Sequence, residues 1–565
     1  MPLLLLLSPA TWAWSWSWSM CLVVLAAAST TLAALAVIHV RFFYVDFPSI
    51  HGLPEIPGAQ ALAGHMYQLG QDHASMAEKW ALQYNWPVFQ IRMGQRRAIV
   101  LNSFDSARAF IIQNQAATLD RPWFHTFHGV VSATSAATIG TSPWNDHTKK
   151  QRRIVGSLTT GPEIQRLGRM LDLETCAMVS SMYYDSKKGA TEIAPHMYKK
   201  RVSLNIMTMF CYGTRFSSVQ NPMMAQILSD ASTIASFRST YTIMTDFIPH
   251  LRYSKSSAKN SKAIEVRGRR DKWLATLLDT VRQKLVTTDA GTKVPTNTGA
   301  RLTVAELILT DSQQGITELD VRTILGGLMS GGFETVYSTA IIVVGMLSTA
   351  EGQRIQKQAY EDIMSCYTTP EEAFSKCISE EKSAYVCGLV KEALRFYPPL
   401  KLLPARQTYK SFAYGDATIP KGVLVYMNAQ AINRDKATYG EDADQFRPER
   451  WLPGNKEKTV PPPYHFSYGA GARGCTAVNF SNRVLYAMFL RLIVAFQITE
   501  SASEPANTDY VQYKEDPTAT NAIPSPFKVC LTPRDKATLE RCFETSQENT
   551  DGMMTGDSME TFKRE

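Results

Sequence analysis

The 565-residue sequence predicts a mainly α fold with small β-sheets, an α+β architecture. Three observations carry this expectation. Apolar residues recur at helical spacing from about residue 70 to about residue 400. The same periodicity returns through Val478, Leu485, Met488, Phe489 and Leu492. Short β-like runs come late, at Phe412–Tyr414 and Val423–Met427, with Ile419-Pro420-Lys421-Gly422 as the turn between them. With 45% hydrophobic and 19% charged residues, the chain can bury a large core.

The first element is a candidate membrane span. Met20 to Val40 contains no Lys, Arg, Asp or Glu. At 1.5 Å per residue such a helix crosses roughly 30 Å of hydrocarbon. Trp12, Trp14, Trp16 and Trp18 precede it and Arg41 follows it. A cleaved signal peptide is the alternative, since Leu3 to Leu7 is a short apolar run. The absence of a disulfide framework favours an uncleaved anchor over residues 1–45, with the body in the cytosol. Pro48, Pro54 and Pro57 then make residues 46–65 a stiff hinge. Residues 66–534 form the globular body, and 535–565 read as a polar, disordered tail.

Net charge is +8 and the isoelectric point about 8.8, a modest excess for this length. With no zinc-finger or RNA-binding signature, no nucleic-acid partner is expected. Anionic lipid or an acidic protein suits a basic surface better. Arg252 to Lys272 reads as a solvated basic face, and residues 286–301 as a surface loop. The nine cysteines are irregularly spaced and form no C-x-x-C pair, so a reduced chain is expected. Most of these thiols act as small buried hydrophobes.

Cys475 is set apart from the rest. Gly469, Gly471 and Gly474 crowd its approach in YHFSYGAGARGCTA, and the long apolar helix starts at or just after it. Glycines allow positive φ and let backbone approach a flat ligand. Unpaired N–H groups at a helix start, with Arg473 two residues away, favour thiolate over thiol. A thiolate is a nucleophile or a metal ligand.

This segment resembles the haem-binding loop of the cytochrome P-450 family, Phe-x-x-Gly-x-Arg-x-Cys-x-Gly. Gly471, Arg473 and Cys475 match, while Tyr468 stands for Phe and Ala477 for Gly. Three further segments match in the right order. Gly331-Gly332-Phe333-Glu334-Thr335 lies in a helix expected from about Thr317 to Ala350 and is similar to the family's acid–alcohol motif. Glu392 and Arg395, before Tyr397-Pro398-Pro399, match its Glu-x-x-Arg helix. Phe446-Arg-Pro-Glu-Arg450-Trp451 resembles its Pro-Glu-Arg-Phe segment, with Trp for Phe.

The resemblance implies the cytochrome P-450 fold with an N-terminal transmembrane helix. It implies haem b (iron protoporphyrin IX) with the Cys475 thiolate as axial ligand. Gly331 and Gly332 would leave room for haem and O2, Glu334 and Thr335 would deliver protons, and Glu392, Arg395 and Arg450 would form a buried structural triad. Arg473, Gly471, Arg406 and Trp144 are the implied haem contacts. Thr148 stands where the family's Trp-x-x-x-Arg pattern has Arg, which leaves open whether Lys149 takes that role.

The activity implied is monooxygenation, with O2 and electrons from an NADPH-cytochrome reductase, on the endoplasmic reticulum membrane with the catalytic domain facing the cytosol. The stretch from Asp120 to Trp144 is similar to fungal members that hydroxylate phenylacetate or oxidise m-cresol. Phe124, Phe127 and His128 are the expected substrate contacts, and a small aromatic or phenolic compound is the expected substrate. Secondary metabolism of the patulin type is preferred, with aromatic catabolism as the alternative. A haem-thiolate isomerase or dehydratase, which needs no reductase, is disfavoured by the Glu334-Thr335 pair.

Overall fold

One long helix, Glu318–Ser348, organises the molecule. Thr317 caps it, accepting from the Asp320 N–H, while the Asp320 carboxylate accepts from the Thr317 N–H at 3.0 Å. This central helix is apolar on almost every face and lies inside the largest core cluster. A helix apolar all round belongs in a core or a bilayer. Among the described residues it has the length and composition to cross a membrane, yet 72% of its apolar window is buried in protein. The computed structural model describes residues 18–134, 138–249, 251, 256–289, 303–310, 315–454, 460–551 and 553.

The central helix packs along His196–Tyr212 and against the helix that follows Cys475, Val478–Ala495. Three sheets expected only in part complete the body. Strands β1 (Val88–Met93) and β2 (Arg96–Leu101) form a hairpin turned at Gly94. Strand β3 is Arg406–Gln407, and β4 (Phe412–Tyr414) pairs antiparallel with β5 (Ala417–Ile419). Strand β6 (Leu424–Met427) runs parallel to β2, giving the order β1-β2-β6-β3. Strand β7 (Phe496–Glu500) pairs antiparallel with β8 (Val529–Pro533). Nearly every residue of β1 and β2 is buried, so neither strand alternates cleanly, and short apolar runs of this kind are not separable from helix by period.

Three segments differ from the sequence expectation. Residues 46–65 are not only a stiff hinge but packed into the body. Ile50, Leu53, Ile56 and Ala63 are buried, and the Gln90 amide grips Ile50 and Leu53. Residues Lys536–Thr550 are not a loose tail but a helix whose Leu539, Cys542 and Ser546 are buried. Ser546 Oγ donates to Asp172 at 2.7 Å, so the helix is docked on Gly168–Asp185. The helix Ser256–Asp289 carries through the first part of the expected 286–301 loop; residues 290–301 lie outside the described residues.

The leading helix is Trp18–Phe43, and its apolar stretch Leu22–Val37 is exposed. Trp12, Trp14 and Trp16 lie outside the described residues.

Candidate active site

A cavity of about 350 Å³ lies between the central helix and the Cys475 loop. Cys475 is the exposed cysteine among the described residues, and the surface it exposes lines this cavity. Its N–H donates to the Tyr468 carbonyl at 2.9 Å, and its Sγ accepts a long 3.4 Å contact from the Ala477 N–H. The Tyr468 hydroxyl donates to Asn482 Oδ1 at 2.7 Å, so the ring that replaces Phe ties the loop to the first turn of the next helix.

The electrostatics differ from the expected thiolate. Burial pushes the Cys475 thiol up, against smaller opposing effects of the Ala477 N–H and Arg152. The helix starts only at Val478, so its N-terminal field reaches Sγ through one weak contact. Arg473 turns away from Sγ and donates to the Ser142 and Leu119 carbonyls. The haem iron, once bound, would supply the charge that favours the thiolate here.

Arg121, Arg152, Arg406 and Arg473 line one wall of the cavity. Arg152 Nη2 donates to the Gly474 carbonyl at 2.6 Å and Arg406 Nη2 to Ala470 at 2.8 Å. Burial, then repulsion from Arg473 and Arg152, lowers Arg406 to about 9. Burial, then Arg152, lowers Arg473 to about 10. The Nε atoms of Arg121, Arg406 and Arg473 are buried without a partner. Such a cluster is stable only opposite anions. The residues therefore fit the implied haem: a flat macrocycle whose two carboxylates meet unpaired guanidinium groups, above a cysteine.

Two expected haem contacts are corrected. Gly471 has φ +62°, and a Cβ there would lie 2.5 Å from the Ile111 carbonyl oxygen, so it serves loop geometry and is not on the cavity wall. Trp144 is also off the wall; its indole packs 5.6 Å from the Arg473 guanidinium. Lys149 pairs with Asp146 at 2.9 Å on the surface, so Arg152 is the cation this helix turns to the cavity. Trp144, Thr148 and Arg152 recur every four residues, a one-face spacing that sequence reading passed over.

The opposite wall is the central helix. A Cβ on Gly331 would meet open space, whereas one on Gly332 would lie 2.4 Å from Met207 Sδ. Both glycines line the cavity, and Gly332 is also packed against Met207. Thr335 lines the cavity, its Oγ1 donating to the Gly331 carbonyl at 2.8 Å. Glu334 does not line it. Its carboxylate points into a neighbouring buried pocket, where the Asn521 amide donates to it and Arg238 and Lys200 lie nearby. Burial pushes Glu334 up to about 7 against those three partners. Consecutive helix residues point about 100° apart, so the acid and the alcohol cannot sit side by side. Arg238 and Asn521, which sequence reading missed, lie on the cavity wall and join the two spaces.

Phe124, Phe127 and His128 all line the cavity. His128 Nδ1 accepts from the Phe124 N–H at 2.8 Å and Nε2 lies 3.2 Å from the Thr141 carbonyl. Burial lowers its pKa, so it is a neutral brace for the loop.

Behind the cysteine loop, Glu392 and Arg395 are fully buried and paired through two hydrogen bonds of 2.8 and 2.6 Å. Arg450 approaches Glu392 at 3.7 Å but bonds mainly to Asp442 at 2.9 Å. Trp451 Nε1 donates to Glu392 at 2.9 Å, a bond that Phe cannot make. Arg395 also holds the Asn433 carbonyl, and the Asn433 side chain holds Phe466 and Ser467 at the start of the cysteine loop.

Comparison with known proteins agrees with this arrangement. The family model described as Cytochrome P450 matches residues 54–522. The chain is similar to a phenylacetate 2-hydroxylase of Emericella nidulans, with 36% identity covering 92% of this chain and 98% of that one. It is similar to a 3-hydroxyphenylacetate 6-hydroxylase of the same organism, with 31% identity covering 90% and 95%. A solved zebra fish cytochrome P450 with abiraterone has a TM-score of 0.63 at 16% identity, covering 82% of this chain and 100% of that one, a likeness of fold.

Proposed function

This chain belongs to the cytochrome P450 family and is a haem-thiolate monooxygenase related to fungal aromatic hydroxylases, and from that premise we propose that it hydroxylates a small arylacetic acid. The observation that carries the reading is one cavity with Cys475 on one wall and Thr335 and Gly331 on the other, lined largely by apolar side chains. The two arylacetate hydroxylases it resembles favour this substrate over m-cresol-type phenols.

Bound haem supplies O2 activation, and a thiolate ligand favours O–O cleavage. The rest falls to the chain. Cys475 would hold the haem iron through its sulfur, and Arg121, Arg152, Arg406 and Arg473 would hold the two propionates. Phe124 and Phe127 present ring faces and edges for an aromatic substrate to pack against. Thr335 presents Oγ1 to the cavity, its proton resting on the Gly331 carbonyl until it is drawn off. Glu334, poised near neutrality and held by Asn521, is the reserve from which that proton is replaced through water. The Trp18–Phe43 helix anchors the body on the cytosolic face of the endoplasmic reticulum, where an NADPH-cytochrome reductase supplies electrons. The expected role in secondary metabolism rests on no residue of this site.

The test is turnover of phenylacetate and 3-hydroxyphenylacetate by full-length protein with reductase and NADPH in lipid vesicles. A product carrying one added oxygen from O2 is the expected result. Turnover of neutral phenols with no turnover of either acid would overturn the substrate assignment and leave the family assignment standing.

A further inference from the structure

We propose that Arg238 is the residue that recognises the carboxylate of the substrate, making this cavity selective for aromatic acids over their neutral analogues. The proposal rests on the arylacetate reading and sharpens it to one side chain.

Every other basic group on the cavity wall has a partner or a prior role. The four arginines beside the cysteine loop are those that would hold the haem propionates. Lys401 pairs with Asp72 at 3.4 Å, and Lys514 donates to the Pro517 and Ala519 carbonyls. Arg238 is different. It lines the cavity, its Nε is buried without a partner, and no hydrogen bond or ion pair among the described residues holds its guanidinium. Glu334 is the nearby carboxylate, and its own hydrogen bond comes from Asn521. A guanidinium whose Nε is buried and without an acceptor is costly unless a ligand supplies one.

The backbone holds Arg238 ready. It follows the helix Pro222–Ser236, and its N–H donates to the Ala235 carbonyl at 3.0 Å. Ser239 then pins the chain by donating to the Thr518 carbonyl at 2.5 Å. The guanidinium carbon lies 4.9 Å from the centre of the Phe127 ring. Stacking on a ring fixes the guanidinium plane and leaves its donor edge free for the two oxygens of a carboxylate. Phe127 belongs to the same wall as Phe124, so the acid's charged end and its ring would be read by adjoining groups.

The test is ligand titration of haem-loaded wild type, Arg238→Lys and Arg238→Met, read by the substrate-induced Soret shift and by calorimetry. The ligands are phenylacetate, phenylacetamide and benzoate, and an intact CO-difference band establishes that each variant is folded and loaded. Arg238→Met should bind phenylacetate roughly 10- to 100-fold more weakly, with phenylacetamide changed less than about threefold. Arg238→Lys should fall between, since it keeps the charge and loses the fork. Equal phenylacetate affinity in wild type and Arg238→Met, or an equal loss for acid and amide, would overturn the proposal and leave the arylacetate reading standing. Arg238-dependent binding of benzoate without binding of phenylacetate would sink the arylacetate reading and keep Arg238. Should Arg238→Met lose its haem, the comparison of acid with amide in Arg238→Lys decides: an acid-specific loss supports the proposal and its absence overturns it.

Discussion

Glu334 and Thr335 are adjacent in sequence yet face different spaces: Thr335 looks into the main cavity, and Glu334 into a buried pocket where Asn521 binds its carboxylate. The acid therefore acts on the cavity at one remove. Its proton lies behind a gate made of Asn521 and Arg238.

A pH dependence follows. Burial holds the Glu334 carboxyl at about 7, so it carries its proton below that pH and loses it above. Product formed per NADPH should fall as pH rises from about 6 to about 9, with its midpoint near 7. Glu334→Gln should give a low ratio with no such midpoint. A wild-type ratio that stays level across this range would remove Glu334 from proton supply. The same shift has a stability cost: the buried carboxyl favours folding below about 4.5, and that contribution is lost as pH rises through about 7.

For Cys475, the expected result is all-or-none. Cys475→Ala should leave haem, if retained, without the thiolate-specific CO-difference band. A surviving band would mean that another of the described cysteines reaches the iron. Cys176, Cys211, Cys377 and Cys542 are buried in core positions away from the cavity.

The Glu392–Arg395 pair should matter through the loop that it supports. Glu392→Gln leaves a buried guanidinium uncompensated and should cost about 3–5 kcal/mol. Trp451→Phe removes one donor to the same carboxylate and should cost about 1–3 kcal/mol while leaving the ion pair in place. Chemical denaturation read by Soret absorbance separates the two. Equal losses would mean that the indole bond is worth as much as the pair.

Two glycines of the motifs should respond in opposite ways. Gly471→Ala forces a Cβ onto the Ile111 carbonyl at a left-handed position and should cost about 2 kcal/mol or more. Gly331→Ala meets no neighbour and should be close to neutral for folding, or slightly stabilising at mid-helix. Its effect should appear instead as weaker ligand-induced Soret shifts. Thermal melts and ligand titrations of both variants check the contrast.

Much of the site was legible because chemistry fixes residue type and spacing locally. The cysteine loop, the central helix with its Thr317–Asp320 cap, and the Glu392–Arg395 pair each lie within a few residues of sequence. What stayed hidden depends on contacts between distant segments. Arg238 and Asn521 reach the cavity from separate loops, and no local pattern marks either. Strands β1 and β2 are buried on both faces, which erases alternation. The helix Lys536–Thr550 looks polar because a shallow stripe of Leu539, Cys542 and Ser546 suffices to dock it. Gly471 matched the motif, but only the neighbouring Ile111 backbone reveals that it serves loop geometry.

The burial of residues 46–65 has a mechanical consequence. Asp46 is already fixed, its carboxylate taking the Arg97 N–H at 2.8 Å and the Arg96 guanidinium at 2.7 Å. Only Tyr44 and Val45 separate it from the end of the leading helix at Phe43. Fully stretched, that link spans about 10 Å. With the helix seated in a bilayer, the body has no leash on which to drift. It would ride against the lipid headgroups like a boat on a short mooring, free to turn about the anchor but not to lift away. Lengthening the link with a Gly-Ser insert after Tyr44 would change how the body sits on the membrane without touching the cavity.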